Sequence, residues 1–259
     1  MAVITEETRF NADVLEAPII GVAAQIGRHD SGMHKHNKHQ LLFASSGCMS
    51  INLNGLWCVL PPIRAAWIPA GTVHCAVMRN VVAYRSLYFD AQISQHLPKD
   101  IKIIAVNGLL RELIERMAYW EWEMPQEDQQ AIFSLFCQEF GDAQEEHFAL
   151  KLPSDRRLKV WLEEVMAGNV LPEPLVEMAK GIGASAKTIS RIFTRETGMP
   201  YQSWRQQWRL QASVERLSEG ESVSEVASAL KFSSDSAFIS FFRKMTGNTP
   251  GRYLREPTE

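Results

Sequence analysis

Three of the seven histidines fall within six residues of the stretch GMHKHNKHQ, residues 32–40. Imidazole is the commonest protein ligand for transition metals, and it titrates near neutral pH. Side chains alternate along a strand, so His34, His36 and Gln40 share one face and His39 points the other way. Further on, WIPAGTVH supplies Pro69, Gly71 and His74, with a turn that sets His74 at the start of another strand. On these residues alone the stretch reads equally as a metal centre, a sensor's pocket wall or a His-rich polar loop.

The elements that must hold these residues change character along the chain. From Ile19 to about Asp90 short apolar runs alternate with Pro, Gly and Asn; INLNGLWCVL is a hairpin turning at Asn54-Gly55. Many short strands with frequent turns predict a sandwich or small barrel. After Pro98, VNGLLRELIERMAYWEWE spaces Leu109, Leu110, Leu113, Ile114 and Met117 at helical intervals, and EDQQAIFSLFCQEF does so through Ile132, Leu135, Phe136 and Phe140. Those two helices either cover the barrel or meet a second subunit. Residues 143–155, AQEEHFALKLPSD, read as a polar linker, and the remainder is helical.

Composition bounds the answer. The chain has 259 residues, 46% hydrophobic and 22% charged, enough for one large globular domain or two of ordinary size. No apolar run approaches the roughly 20 residues of a membrane span, and MAVITEETRF lacks the basic-then-apolar order of a secretory signal. The four cysteines are scattered and read as reduced thiols of a cytoplasmic protein. Net charge is -3, yet residues 1–150 carry 11 basic against 17 acidic side chains, while residues 183–255 carry 11 against 6. An acidic front and a basic back suggest separate partners.

The back half contains two segments of one layout, EPLVEMAKGIGASAKTISRIFTRETGMP and ESVSEVASALKFSSDSAFISFFRKMTGNTP. Each has a short amphipathic helix, a tight turn, a capping Ser (Ser185, Ser234) and a second helix ending in Thr-Gly. That is the helix-turn-helix layout, whose second helix enters the major groove. Between them YQSWRQQWRLQASVERL forms one long helix, which fixes the separation of the two units. Consecutive major grooves on one duplex face lie about 34 Å apart, so a fixed separation suits tandem reading.

Residues 174–255, roughly a third of the chain, closely resemble the DNA-binding domain of the AraC/XylS family of bacterial transcription regulators. The motifs are SAKTISRIFTRETG, WRQQWRLQA and the block closing in FxxFFRKMTGNTPxxYLR. The resemblance implies that the first reading helix presents Ala186, Lys187, Ser190, Arg191 and Thr194 to DNA, with Ile189, Ile192 and Phe193 in the core. Arg pairs bidentately with guanine, and Lys reads guanine or pairs with phosphate. In the second helix Asp235, Ser236, Ala237, Ser240 and Arg243 face DNA, while Phe238, Phe242 and Met245 are core. The chain departs from the family twice here: Lys231 stands at a turn position usually held by Gly, and Ser240 where Arg is frequent. Base reading by the second helix is therefore expected to be weaker, with specificity resting mainly on the first.

Over roughly residues 20–90, HxHxxxQ followed by Gly and by PxGxxH resembles the two-part motif of the cupin β-barrel, which many regulators of this family carry for effectors. The resemblance implies a pocket walled by His34, His36, Gln40 and His74, with Trp57, Arg64 and Trp67 lining or rimming it. Metal-bearing cupins place three His and one Glu there. With Gln40 at the Glu position, His34, His36 and His74 remain candidates for a divalent transition metal, and a catalytic iron site is disfavoured.

The expected fold is therefore multidomain, α and β: an N-terminal cupin β-barrel over residues 1–95, a helical linker or dimerisation region over 96–150, and a C-terminal all-α tandem helix-turn-helix domain over 151–259. The expected function is a cytoplasmic, non-enzymatic regulator of promoter DNA, controlled by a small-molecule or metal effector. Expected partners are double-stranded DNA, the effector, RNA polymerase if it activates, and a second copy of the chain, with no membrane. A metal-dependent cupin enzyme, or a DNA-binding module whose barrel only dimerises, are the alternatives.

Overall fold

In the computed structural model, residues 3, 10–93, 97–146 and 149–254 are described. The strands are β1 (Ile19–Ile26), β2 (His29–Asp30), β3 (His39–Ala44), β4 (Met49–Leu53), β5 (Leu56–Leu60), β6 (Arg64–Ile68), β7 (His74–Met78), β8 (Val82–Phe89), β9 (Lys102–Ala105) and β10 (Leu150–Lys151). They form two antiparallel sheets, β1-β8-β3-β6-β9 and β10-β5-β4-β7-β2. The helices are α1 (Gly108–Ala118), α2 (Gln126–Asp142), α3 (Lys159–Ala167), α4 (Leu175–Ile182), α5 (Ala186–Thr197), α6 (Tyr201–Ser218), α7 (Val223–Ala229), α8 (Asp235–Thr246) and α9 (Pro250–Tyr253). None of the described helices is long and apolar enough to cross a membrane.

Strand parity decides where each apolar face goes. Leu42, Ala44, Ala66 and Ile68 of the first sheet meet Ile51, Leu53, Cys58 and Leu60 of the second in the layer between the sheets. The alternate residues point outward. Leu41, Phe43, Ala65 and Trp67 are covered by Leu110, Ile114 and Met117 of α1 and by Phe136 and Phe140 of α2. Leu109, grouped with these by its spacing, is instead exposed. The helix pair thus covers the barrel, and its close seat depends on Gly21. A Cβ there would lie 2.0 Å from the Met117 carbonyl oxygen.

Outward-facing Trp57 and Val59 on the second sheet are covered by the C-terminal helical half, in one core with Val165, Trp204, Trp208 and Ala212. Buried Gln211 of α6 accepts the Val59 backbone N–H at 2.9 Å. Trp204 Nε1 donates to the Lys151 carbonyl, and the Arg79 guanidinium donates to the carbonyls of Met166 and Ala167. Burial pushes the Glu215 carboxyl up at this contact, against the opposing pull of Arg79 beside it at 3.2 Å.

The boundaries at 95 and 150 need adjusting. β9 adds Lys102–Ala105 to the edge of the first sheet beside β6. The stretch read as a polar linker is partly structural: Leu150 and Lys151 pair with Trp57 and Leu56, and Glu146 is buried against Arg64. Its polar residues hid these roles, because the Glu146 charge is neutralised by a partner 82 positions away. His147 and Phe148 lie outside the described residues.

Candidate functional site

The first site is a cavity of about 520 Å³ between the sheets. His34, His36, Gln40 and His74 all stand on its wall. The His34 and His74 backbones exchange two hydrogen bonds of 2.9 Å, which fixes their rings side by side. The ring centroids lie 4.4 Å apart for His34 and His74, 4.9 Å for His34 and His36, and 5.4 Å for His36 and His74. One ligand atom from each lies within 4.8 Å of the others.

Hydrogen bonds orient the donors. Nδ1 of His34 meets the Gly32 carbonyl at 2.8 Å, and Nδ1 of His74 meets the Thr72 carbonyl at 2.9 Å. A carbonyl only accepts, so both Nδ1 atoms carry a proton, and in the neutral form of each ring Nε2 is the acceptor. The Gln40 amide donates to Ser86 Oγ at 2.9 Å and to the Tyr88 hydroxyl at 3.0 Å, leaving its carbonyl oxygen to face elsewhere. His36 Nε2, His74 Nε2 and Gln40 Oε1 are buried with no hydrogen-bond partner among the described residues. Burial, reinforced by His34 and His74 and opposed by Asp13, lowers the His36 pKa to about 4. The His36 ring is therefore neutral at pH 7.

His39 lies on the other side of its strand, stacked on Trp67 at 5.3 Å. Three expected wall residues are not on the cavity. Trp57 faces outward into the contact with the C-terminal helical half, and Trp67 faces outward under α1 and α2, donating to the Pro98 carbonyl. Arg64 is only 2% exposed, ion-paired with Glu146 and 4.7 Å from the Tyr253 ring centroid. Residue type suggested a pocket, but strand parity turned both tryptophans away. The residues missed are Tyr84 and Tyr88, which line the cavity, and Ser86, which orients Gln40. Their Y-x-S-x-Y alternation in β8 was a readable signal, since Tyr88 sits directly across from Gln40.

The second site is the exposed side of the helix-turn-helix units. Ser185 caps α5 by accepting from the Thr188 N–H, and Ser234 caps α8 by accepting from Ala237. On α5, Lys187, Arg191 and Thr194 are exposed and Ala186 and Ser190 half-buried, while Ile189, Ile192 and Phe193 are buried. Lys187 and Arg191 make no ion pair with the described residues, but the Thr194 hydroxyl donates back to the Ser190 carbonyl. On α8, Asp235, Ser236, Ser240 and Arg243 are exposed, Ala237 is half-buried, and Phe238 and Phe242 are buried. The Asp235 carboxylate accepts a short hydrogen bond from Ser224, so part of its acceptor capacity is occupied.

A family model described as an AraC-like ligand binding domain matches residues 16–158, and one described as a helix-turn-helix domain matches residues 178–256. The chain is 29% identical over 230 residues to the HTH-type transcriptional regulator NimR of Escherichia coli, spanning 88% of this chain and 84% of that one. To the HTH-type transcriptional regulator RipA of Corynebacterium glutamicum it is 29% identical over 102 residues, 39% of this chain and 31% of that one. A solved structure of ToxT from Vibrio cholerae aligns with 93% of this chain and 100% of its own, at 10% identity and a TM-score of 0.37.

Proposed function

The chain belongs to the AraC-type family of DNA-binding transcription regulators with a ligand-binding domain, and on that premise we propose which residues do the sensing and the reading. The His34, His36, Gln40 and His74 cavity, with Tyr84 and Tyr88, takes the effector. Lys187, Ser190 and Arg191 on α5 supply most of the base reading; Asp235, Ser236, Ala237, Ser240 and Arg243 on α8 mainly set register. The observation that carries this is the pairing of two capped reading helices with α6, whose own side chains grip the sensor at Val59 and Lys151. A ligand with different affinities for two arrangements of that contact biases how the reading helices are presented.

The barrel binds its ligand and does not turn it over. Such a protein acts on chromosomal DNA in the cytoplasm, as a homodimer on paired sites, and contacts RNA polymerase where it activates. The reading is tested with labelled DNA from upstream of the neighbouring genes. Tight binding whose logarithm falls linearly with the logarithm of salt, and which shifts with a cavity ligand, is expected. Salt-independent or undetectable binding overturns it.

A further inference from the structure

We propose that the C-terminal half holds a second ligand site, a pocket between its two helix-turn-helix units that takes a small apolar carboxylate. The pocket is separate from the barrel cavity, does not depend on the role given to it, and has a volume of about 150 Å³. Its walls come from three places. Residues 171–174 and Glu177 belong to the entry of α4, Arg205, Trp208 and Arg209 to α6, and Leu230 and Lys231 to the turn between α7 and α8. A ligand seated there touches the first unit and the second at once.

The lining divides by chemistry. Leu171, Pro172, Pro174, Trp208 and Leu230 supply its apolar part, and an apolar cavity of about 150 Å³ accommodates one six-membered ring. Three cations join them, Arg205, Arg209 and Lys231, none ion-paired with the described residues. Arg205 and Arg209 stand one helical turn apart on α6, where like charges repel. Burial, reinforced by Arg205, lowers the Arg209 pKa to about 10. Arg205 Nε donates to the Pro172 carbonyl at 2.6 Å, and Arg209 donates to the Leu230 carbonyl at 2.8 Å. Each guanidinium is thereby held in place with donors to spare, and a carbonyl returns no charge. Of the two carboxylates in the lining, Glu177 pairs with Lys180 at 3.3 Å and Glu173 is exposed. An anion with an apolar body answers both parts of the lining.

Two further features point the same way. Trp208 is 5% exposed, and its Nε1 is buried with no hydrogen-bond partner among the described residues. An indole N–H only donates, so the missing partner is an acceptor. Trp208 also borders an adjoining cavity at the barrel contact, but Glu215, Glu219 and Glu221 line that one and disfavour an anion. Lys231, for its part, holds φ 54° where glycine would fit without strain. Strained backbone concentrates at binding sites, and here it keeps a cation at the edge of the pocket.

The test titrates the full-length protein with cyclohexanecarboxylate in a calorimeter at fixed salt, with cyclohexanecarboxamide as the neutral match. One site per chain is expected, with the amide about tenfold weaker or more. Arg205→Gln should weaken binding by about tenfold or more, and Lys231→Gly by about twofold to fivefold. Trp208→Phe, which removes the N–H and keeps an apolar ring, should weaken it by about fivefold. Lys231→Gly relaxes the turn, so its loss is not one of folding. Absence of binding, equal binding of the amide, or an affinity unchanged in Arg205→Gln and in Lys231→Gly overturns the site. Loss of binding in Gln40→Ala places the carboxylate in the barrel and overturns it too. Where the carboxylate does not bind and each cation variant lowers the salt slope of promoter binding by about one, the cations belong to DNA phosphates and the site is refuted.

Discussion

The two helix-turn-helix units share a backbone plan and differ in chemistry. In the first, Gly183 takes a left-handed φ of 72° and Ala184 N–H bonds back to the Ala179 carbonyl; in the second, Lys231 takes φ 54° and Phe232 N–H bonds back to Ala227. Thr197 and Thr246 close their helices in the same way, each hydroxyl donating to the carbonyl four residues earlier. The exposed faces diverge: Lys187 and Arg191 on one, Asp235 and Ser240 on the other. The lesson is that turn and cap geometry can be kept while the exposed residues change. The second unit even accepts a strained lysine, with the Leu230 carbonyl before it gripped by Arg209, whose guanidinium lies 3.7 Å from the Phe232 ring.

The comparison can be broken or sharpened in order of expected effect. Phe193→Ala and Phe238→Ala, both fully buried, should each cost about 3–5 kcal/mol in denaturant unfolding. Markedly unequal costs would show that the units are not structural equivalents. Next, Lys187→Ala and Arg191→Ala should each lose about 1–3 kcal/mol of discrimination between operator and mismatched DNA, with Ser240→Ala nearly silent. An equal loss at Ser240 would erase the asymmetry. Ser185→Ala and Ser234→Ala should lower stability by about 1 kcal/mol each, since both caps accept one N–H. The smallest effect has the opposite sign. Lys231→Gly should raise the melting temperature slightly, by about 0.5–1 kcal/mol of stability, as relief of left-handed strain exceeds the added chain entropy.

Much of this arrangement was legible in the sequence for local reasons. Asn54-Gly55 marks a turn that needs positive φ, and both residues have it, at 52° and 84°. Ser185 and Ser234 announce helix starts, and Lys231 announces its own strain by standing where glycine is usual. What could not be read is which face of a strand looks inward when both faces are apolar. Trp57 and Trp67 looked like pocket walls because aromatic type carries no parity. Arg64 and Glu146 were separated because their pairing is long-range and the surrounding stretch is polar. The histidine group was readable because it combined spacing with a distant turn, whereas Tyr84, Ser86 and Tyr88 carried a readable alternation but no residue type that by itself points to a site.

The bond from Val59 N–H to Gln211 has a consequence for solubility. β10 pairs only with Leu56 and Trp57, so beyond those two residues the margin of the second sheet is finished by α6 rather than by another strand. A barrel severed from its helical half would expose that margin together with Trp57 and Cys48, offering unpaired backbone to a neighbouring molecule. Residues 1–158 produced alone should therefore form open-ended aggregates by light scattering where the whole chain stops at a dimer, and Val59→Lys should suppress them. The DNA-binding half serves its sensor as a guard against edge-to-edge aggregation.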